Sequence, residues 1–193
     1  MKFNWQVFFR VMAVFAILDA CILMSGCGDW ETTAVNIIGL LGPAIQSIIA
    51  ILAALGVKVP AAVFSTFQNW AQQTQTALVT LKGLILSVKT AVTSAEPGIL
   101  NAIGAALQAI ATQLQAVLPE LHIDDPASQA KVEEALAAVI GFVGEIAAIV
   151  PMVSSSMKLA DAKVVNAKAK AATSKFRATF NAAVSFFGPQ YEI

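Results

Sequence analysis

The sequence predicts an all-α fold: an antiparallel helical bundle of two long αα-hairpins, with a kinked apolar helix before them and a basic helix after them. Apolar residues recur at steps of three and four along most of the chain, and Pro and Gly fall between these segments. Alternating apolar and polar runs of strand length are absent from the sequence. The 193 residues suffice for one domain with a sizeable core once a leader is removed.

The first 26 residues have the order of a secretory signal peptide. Lys2 and Arg10 make the beginning positive, and an apolar stretch from Val11 to Met24 follows. This stretch is shorter than the about 20 residues that a transmembrane helix needs. We therefore expect residues 1–26 to be removed, residues 27–151 to form the bundle, and residues 152–193 to form a basic Ala- and Lys-rich helix or tail.

The apolar stretch ends in Leu23-Met24-Ser25-Gly26-Cys27, which resembles the lipobox of bacterial lipoproteins. The resemblance implies that Cys27 carries a diacylglyceryl group and is the first residue of the mature protein. Met24 stands where the family usually has Leu, and Leu18-Asp19-Ala20-Cys21 is a second candidate. An uncleaved signal anchor from Phe3 to Met24 is the alternative.

The same resemblance bears on location. Gly28 rather than Asp follows Cys27, so nothing here resembles the family's signal for retention in the inner membrane. The chain is expected to be exported and anchored in the cell envelope, with the outer membrane favoured if the cell is Gram-negative.

An apolar helix is predicted next. Thr32 or Thr33 can cap it, Gly42-Pro43 breaks or kinks it, and a second piece continues to Leu55, with Gly56 as the stop. Val35 to Val57 has no charge and is long enough to cross a bilayer. Because Gly42-Pro43 lies in its middle, a buried or interfacial helical hairpin is favoured over insertion.

Three longer apolar stripes follow, and each has helical spacing. The first resembles a coiled-coil seam within a helix from about Ala61 to Ser94 and stops at Glu96-Pro97-Gly98. The second runs from Ile99 to Pro119, and the third begins at the N-cap Asp125 and stops at Pro151. Their core positions are predicted to be Phe67, Trp70, Thr74, Ala77, Leu81, Leu84, Val88 and Ala91, then Ile103, Leu107, Ile110, Leu114 and Val117, then Val132, Leu136, Val139, Val143, Ile146 and Val150.

The chain changes character after Ser154. Lys163 to Thr173 is rich in Ala and Lys, and it predicts a solvated or partly disordered helix. Phe176, Phe180, Val184 and Phe187 then predict a short terminal helix, capped by Thr173 or Ser174 and ended by Gly188-Pro189.

Residues that could perform chemistry are few. His122 is the single histidine, and with Asp124 and Asp125 it provides too few ligands for a zinc site, while Asp125 already caps a helix. Nucleophilic catalysis would also depend on this one base, and no phosphate-binding or dinucleotide motif is present in the sequence. We therefore predict no enzyme activity, no cofactor, no metal and no small-molecule substrate.

Charge is unevenly distributed along a chain whose formal net charge is zero. Asp29 to Pro151 is acidic, whereas Met152 to Ile193 is basic. The basic part is expected to contact either anionic lipid or the protein's own acidic helix through Glu133, Glu134 and Glu145, and no nucleic-acid partner is expected. Both cysteines precede the body, so a disulfide framework cannot form there.

The turn Leu118-Pro119-Glu120-Leu121-His122-Ile123-Asp124-Asp125-Pro126, between Ala-rich helices, resembles a group of uncharacterised small lipoproteins of acidobacterial type. The resemblance covers the general layout from Cys27 to Phe187 and implies no activity. The leading hypothesis is a non-catalytic, lipid-anchored envelope protein that contacts a protein partner or another copy through helix faces. The alternative is a membrane-active protein, a pore former or a subunit of a membrane complex, that inserts Val35 to Val57 or Gly98 to Leu118.

Overall fold

The computed structural model describes residues 30–88, 96–152 and 159–193. Within these ranges the structure consists of α-helices, 3-10 helices and short turns, and no strand occurs, which confirms the predicted all-α class. The α-helices are α1 (Trp30–Leu55), α2 (Ala61–Val88), α3 (Glu96–Val117), α4 (Pro126–Ile149) and α5 (Leu159–Val184). The predicted signal peptide lies outside the described residues.

Successive helices pack against each other as antiparallel neighbours, and α5 also packs against α1, which closes the bundle. The turn between α1 and α2 lies beside the turn between α3 and α4, because the N–H of Asp124 donates to the carbonyl of Lys58 at 3.0 Å. We call this the turn end. The opposite end, where α1 begins, is the Trp30 end, and α2 and α4 finish there while α3 and α5 start there.

Helix α1 is one continuous helix of 26 residues with Pro43 inside it. Of the predicted break or kink at Gly42-Pro43, the break does not occur, and the predicted helical hairpin is therefore absent from this segment. Proline removes the hydrogen bond to the carbonyl of Gly39, but Gly39 is exposed and water can solvate that carbonyl. The expected caps Thr32 and Thr33 lie inside the helix, which begins earlier at Trp30. Gly56 does stop α1, with a φ of 58° that favours glycine.

The predicted stripes form the core. On α2, Phe67, Leu81 and Thr74 are fully buried, and Ala77 and Leu84 are half-buried. Lys82 is exposed next to Leu81, which confirms the phase of this helix. On α3 and α4 the predicted positions are buried, and Val150, which directly follows α4, is half-buried. The buried set is Ile103, Leu107, Ile110, Leu114, Val117, Val132, Leu136, Val139, Val143 and Ile146.

Helix boundaries differ from the prediction around the turn after α2. The described part of α2 ends at Val88, and Ala91 lies outside the described residues. Glu96-Pro97-Gly98 was expected to stop a helix, yet Glu96 begins α3. Pro97 is tolerated there because N–H groups in the first turn of a helix have no helical acceptor.

The C-terminal part is one 26-residue helix, so the prediction of a short helix capped by Thr173 or Ser174 was wrong. Its first half is packed through small residues, with Val165, Ala169 and Ala172 buried. Its second half buries Phe176 and Phe180, as predicted. The ring of Phe176 stacks on Phe142 of α4 with centroids 4.2 Å apart, which fixes α5 against α4.

Candidate functional site

The predicted attachment residue Cys27 and the second candidate Cys21 lie outside the described residues. Helix α1 begins at Trp30, three positions after Cys27. Three residues of extended chain reach about 10 Å. A lipid on Cys27 would therefore hold the Trp30 end of the bundle close to a membrane.

The turn around His122 was the candidate for chemistry. Nε2 of His122 lies 3.8 Å from Oδ1 of Asp124, and both side chains are about two-thirds exposed. They border a surface hollow of about 390 Å³ that is lined by His122, Ile123, Asp124, Pro126, Gln129, Ala130 and Glu133. Residues 30–88, 96–152 and 159–193 contain no group of three His, Cys, Asp or Glu side chains placed to hold a metal ion.

Asp125 caps α4, as predicted. Its carboxylate accepts from the backbone N–H of Ser128 at 3.1 Å and also from the Ser128 hydroxyl, and Pro126 occupies the first helical position. The hydrogen bond from the Ser128 side chain, followed by that from its backbone, lowers the pKa of Asp125 below its ordinary value. The role of this carboxylate is to start a helix.

The three glutamates of α4 have different partners. Glu133 accepts from the side-chain amide of Gln129 at 2.9 Å, and Glu134 pairs with Lys131 at 2.7 Å. Glu145 pairs with Lys175 of α5. The C-terminal basic segment was predicted to contact either anionic lipid or the acidic helix. The contact with the acidic helix is present, and of the three glutamates only Glu145 makes it.

The other described lysines of α5 do not share this arrangement. Lys163, Lys168 and Lys170 are exposed, and none of them forms an ion pair within the described part of the chain. The ammonium of Lys168 lies 3.5 Å from the sulfur of Met152, which is a weak acceptor. We call these three residues the lysine face.

Among the residues that the structure describes, three helical segments are long and apolar enough to cross a membrane: Val35–Leu55, Gly98–Glu120 and Pro126–Met152. The first is the most buried within the bundle, since half of it is covered, whereas about a third of each of the others is. Membrane association is thus compatible with the composition of these helices. In the folded bundle, the apolar face of α1 is occupied by α2, α4 and α5.

The outer surface of α2 and α3 is nearly uncharged. Its exposed residues between Gln72 and Leu86 and between Asn101 and Ala116 are Gln, Asn, Thr, Ala, Gly, Val and Leu, with Lys82 as the charged exception. Val79 is 74% exposed and Leu86 is 53% exposed. Such a surface can pack against another helix without removing charges from water.

No family model, curated protein or solved structure matches this chain. The resemblance of its beginning to a lipobox and of its body to small lipoproteins stays a prediction.

Sequence reasoning missed two buried polar atoms on α2. Trp70 and Thr74 are on the predicted seam and are buried, but among the described residues neither the indole N–H of Trp70 nor the hydroxyl of Thr74 has a hydrogen-bond partner. The apolar periodicity placed both residues correctly in the core. It could not show whether a neighbouring helix would provide an acceptor, because that depends on packing.

Proposed function

We propose that this protein is a non-catalytic helical bundle of the bacterial cell envelope, held at a membrane by lipid on Cys27 and acting through helix-face contacts. The observation that carries the proposal is the short connection between Cys27 and α1. Because three positions of chain span at most about 10 Å, the lipid and the folded body would form one unit at the membrane surface. Two or more acyl chains provide the stable anchoring that a single chain does not.

The contact surface that best fits this function is the uncharged outer surface of α2 and α3. Its Gln and Thr side chains can exchange hydrogen bonds with water for bonds with a partner, and Val79 and Leu86 supply apolar area. The partner is another protein or a second copy of this chain. Location in the envelope, with the outer membrane favoured in a Gram-negative cell, is part of the same proposal.

The anchoring is tested by the intact mass of the protein purified from native membranes. The expected chain begins at Cys27 and is heavier than its polypeptide by a diacylglyceryl group, with an additional N-acyl chain in a Gram-negative host. A mass that includes Met1 and Lys2 would contradict processing and would favour the uncleaved signal anchor.

The membrane-active alternative is favoured by one observation, the charge-free segment Val35–Leu55. It is separated from the leading proposal by fusing Gly28 to Ile193 to an ordinary cleavable signal peptide and washing the membranes with carbonate at high pH. A surface-bound bundle should be released into the supernatant. Retention of this lipid-free chain in the pellet would support insertion, because carbonate does not extract helices whose apolar faces lie in lipid.

A further inference from the structure

The Trp30 end carries more exposed apolar side chains than the turn end. The described residues include five large hydrophobic side chains that are exposed: Val79, Leu86, Met152, Val164 and Phe186. Leu86 belongs to the last turns of α2, Met152 follows α4, and Val164 lies near the start of α5. These three lie at the Trp30 end, although they belong to different parts of the chain.

The lysine face is at the same end. Along the α4 and α5 pair, Phe176 stacks on Phe142, Lys175 pairs with Glu145, and Lys168 contacts Met152. This antiparallel register places the first two turns of α5 beyond the level of Met152. That segment of α5 therefore extends past the end of α4, on the side of the bundle where the chain leads back to Cys27.

The exposed side of the first half of α5 combines lysines with apolar residues, as helices that lie on a membrane surface do. Lys163 and Lys170 are seven residues apart and lie on one side of α5, while Lys168 lies on another, with exposed Val164, Ala167 and Ala171 between them. Val165, Ala169 and Ala172, on the opposite side, hold the helix to the protein. Lysines beside exposed apolar residues suit the boundary between lipid headgroups and acyl chains.

We propose that the Trp30 end rests on an anionic lipid surface, with Leu86, Met152 and Val164 against the headgroup region and the lysine face on the lipid phosphates. This inference rests on the proposed function, which supplies the lipid anchor. It adds which side of the bundle faces the membrane. The attraction depends on the exposed lysines of α5. Each lysine near an anionic surface increases affinity about fivefold, and salt screens the effect.

The test uses the native full-length protein, added to preformed vesicles of phosphatidylcholine with or without phosphatidylglycerol. An amine-reactive reagent labels exposed lysines, and mass spectrometry gives the extent of labelling at each position. Lys163, Lys168 and Lys170 should become several-fold less reactive when phosphatidylglycerol is present and recover in high salt. Lys58, exposed at the turn end, should react equally in all vesicles. Equal reactivity of all four lysines under every condition would overturn the inference.

Matched variants sharpen the measurement. In Lys163→Gln with Lys170→Gln, the protection of the remaining Lys168 by phosphatidylglycerol should be largely lost, whereas Lys58→Gln should leave it unchanged. Protection of Lys168 that survives the double substitution would also overturn the inference. The intact mass of the same protein separates this inference from the proposed lipid anchor. If the protein carries no lipid but its lysine face is protected by phosphatidylglycerol, only the lipid anchor is contradicted. If the protein carries lipid but all four lysines react equally, only the membrane-facing side proposed here is contradicted.

Discussion

Asp125 and Thr74 differ in whether the fold gives their oxygen atoms a partner. The carboxylate of Asp125 accepts two hydrogen bonds from Ser128, both of them local in sequence. Asp-Pro before a helical stripe was therefore enough to predict this cap. The hydroxyl of Thr74 is fully buried and has no partner within the described residues, although a helical threonine can donate to the carbonyl four residues earlier, as Thr80 does. Its state could not be predicted because it depends on packing.

The Asp125 cap should make stability depend on pH. Because the pKa of Asp125 is lowered in the folded protein, its contribution to stability is present above the unfolded pKa of about 3.9 and is lost as pH falls through the lower folded value. Asp125→Asn keeps a capping oxygen but cannot titrate. We expect this variant to lose less thermal stability than the wild type between about pH 5 and pH 2.

The control for this measurement is Asp124→Asn, which changes a neighbouring exposed carboxylate that is outside the cap. Thermal unfolding of all three proteins over the acid range gives the comparison. If wild type and Asp125→Asn lose the same thermal stability as the pH falls, the assigned role of the Ser128 hydrogen bonds would be contradicted.

Thr74→Val should stabilise the protein. The substitution keeps the shape of the side chain and removes a buried hydroxyl that lacks a partner in the described part of the chain, so a gain of about 1 kcal/mol is expected in the free energy of unfolding. Thr80→Val is the matched control, since Thr80 is exposed and donates to the carbonyl of Thr76 within its own helix. Its effect should stay within about 0.5 kcal/mol. Urea unfolding that shows Thr74→Val to be less stable than wild type would mean that the hydroxyl is satisfied by ordered water.

At the scale of elements, helix α5 was the least predictable part of the fold. On α2, α3 and α4, large apolar residues at helical spacing predicted the buried faces. In the second half of α5, Phe176 and Phe180 predicted the buried face in the same way. The first half buries alanines, which in sequence look the same as exposed alanines such as Ala167 and Ala171. Alanine lets helix backbones pack closely, but buried alanines do not form the stripe of large apolar residues by which a packed face is recognised in a sequence. The packed face of this half of α5 could therefore be identified only from the folded bundle.

The packing of this first half can be tested by enlarging one alanine. Ala169 is 2% exposed, and Ala169→Leu should force α5 away from its neighbours at a cost of about 1–3 kcal/mol in the free energy of unfolding. Ala171→Leu places the same side chain on the exposed side of the same helix and should change stability by less than about 0.5 kcal/mol. Equal denaturant midpoints for the two variants would show that this half of α5 is not packed.

For the whole molecule, the sequence predicted that the long helices form antiparallel hairpins, because short turns leave consecutive helices side by side. It did not predict that α1 would pack against α2, α4 and α5, or that α5 would close the bundle. Those contacts bring together residues distant in the chain. The sorting of exposed lysines and apolar side chains to the Trp30 end is likewise a product of topology, since Leu86, Met152 and Val164 are spread over three parts of the sequence.

The hydrogen bond between Asp124 and Lys58 has a mechanical consequence. It ties the two hairpin turns together at the end far from Trp30, where Asn181 also holds the backbone of Ile193 through two hydrogen bonds. The chain also joins α2 to α3 at the Trp30 end, so the α1–α2 and α3–α4 hairpins are connected at both ends of the bundle. Helix α1 is tied to the rest of the bundle through the turn end, so wetting of its apolar side is expected to begin next to Trp30, at the end nearest to Cys27.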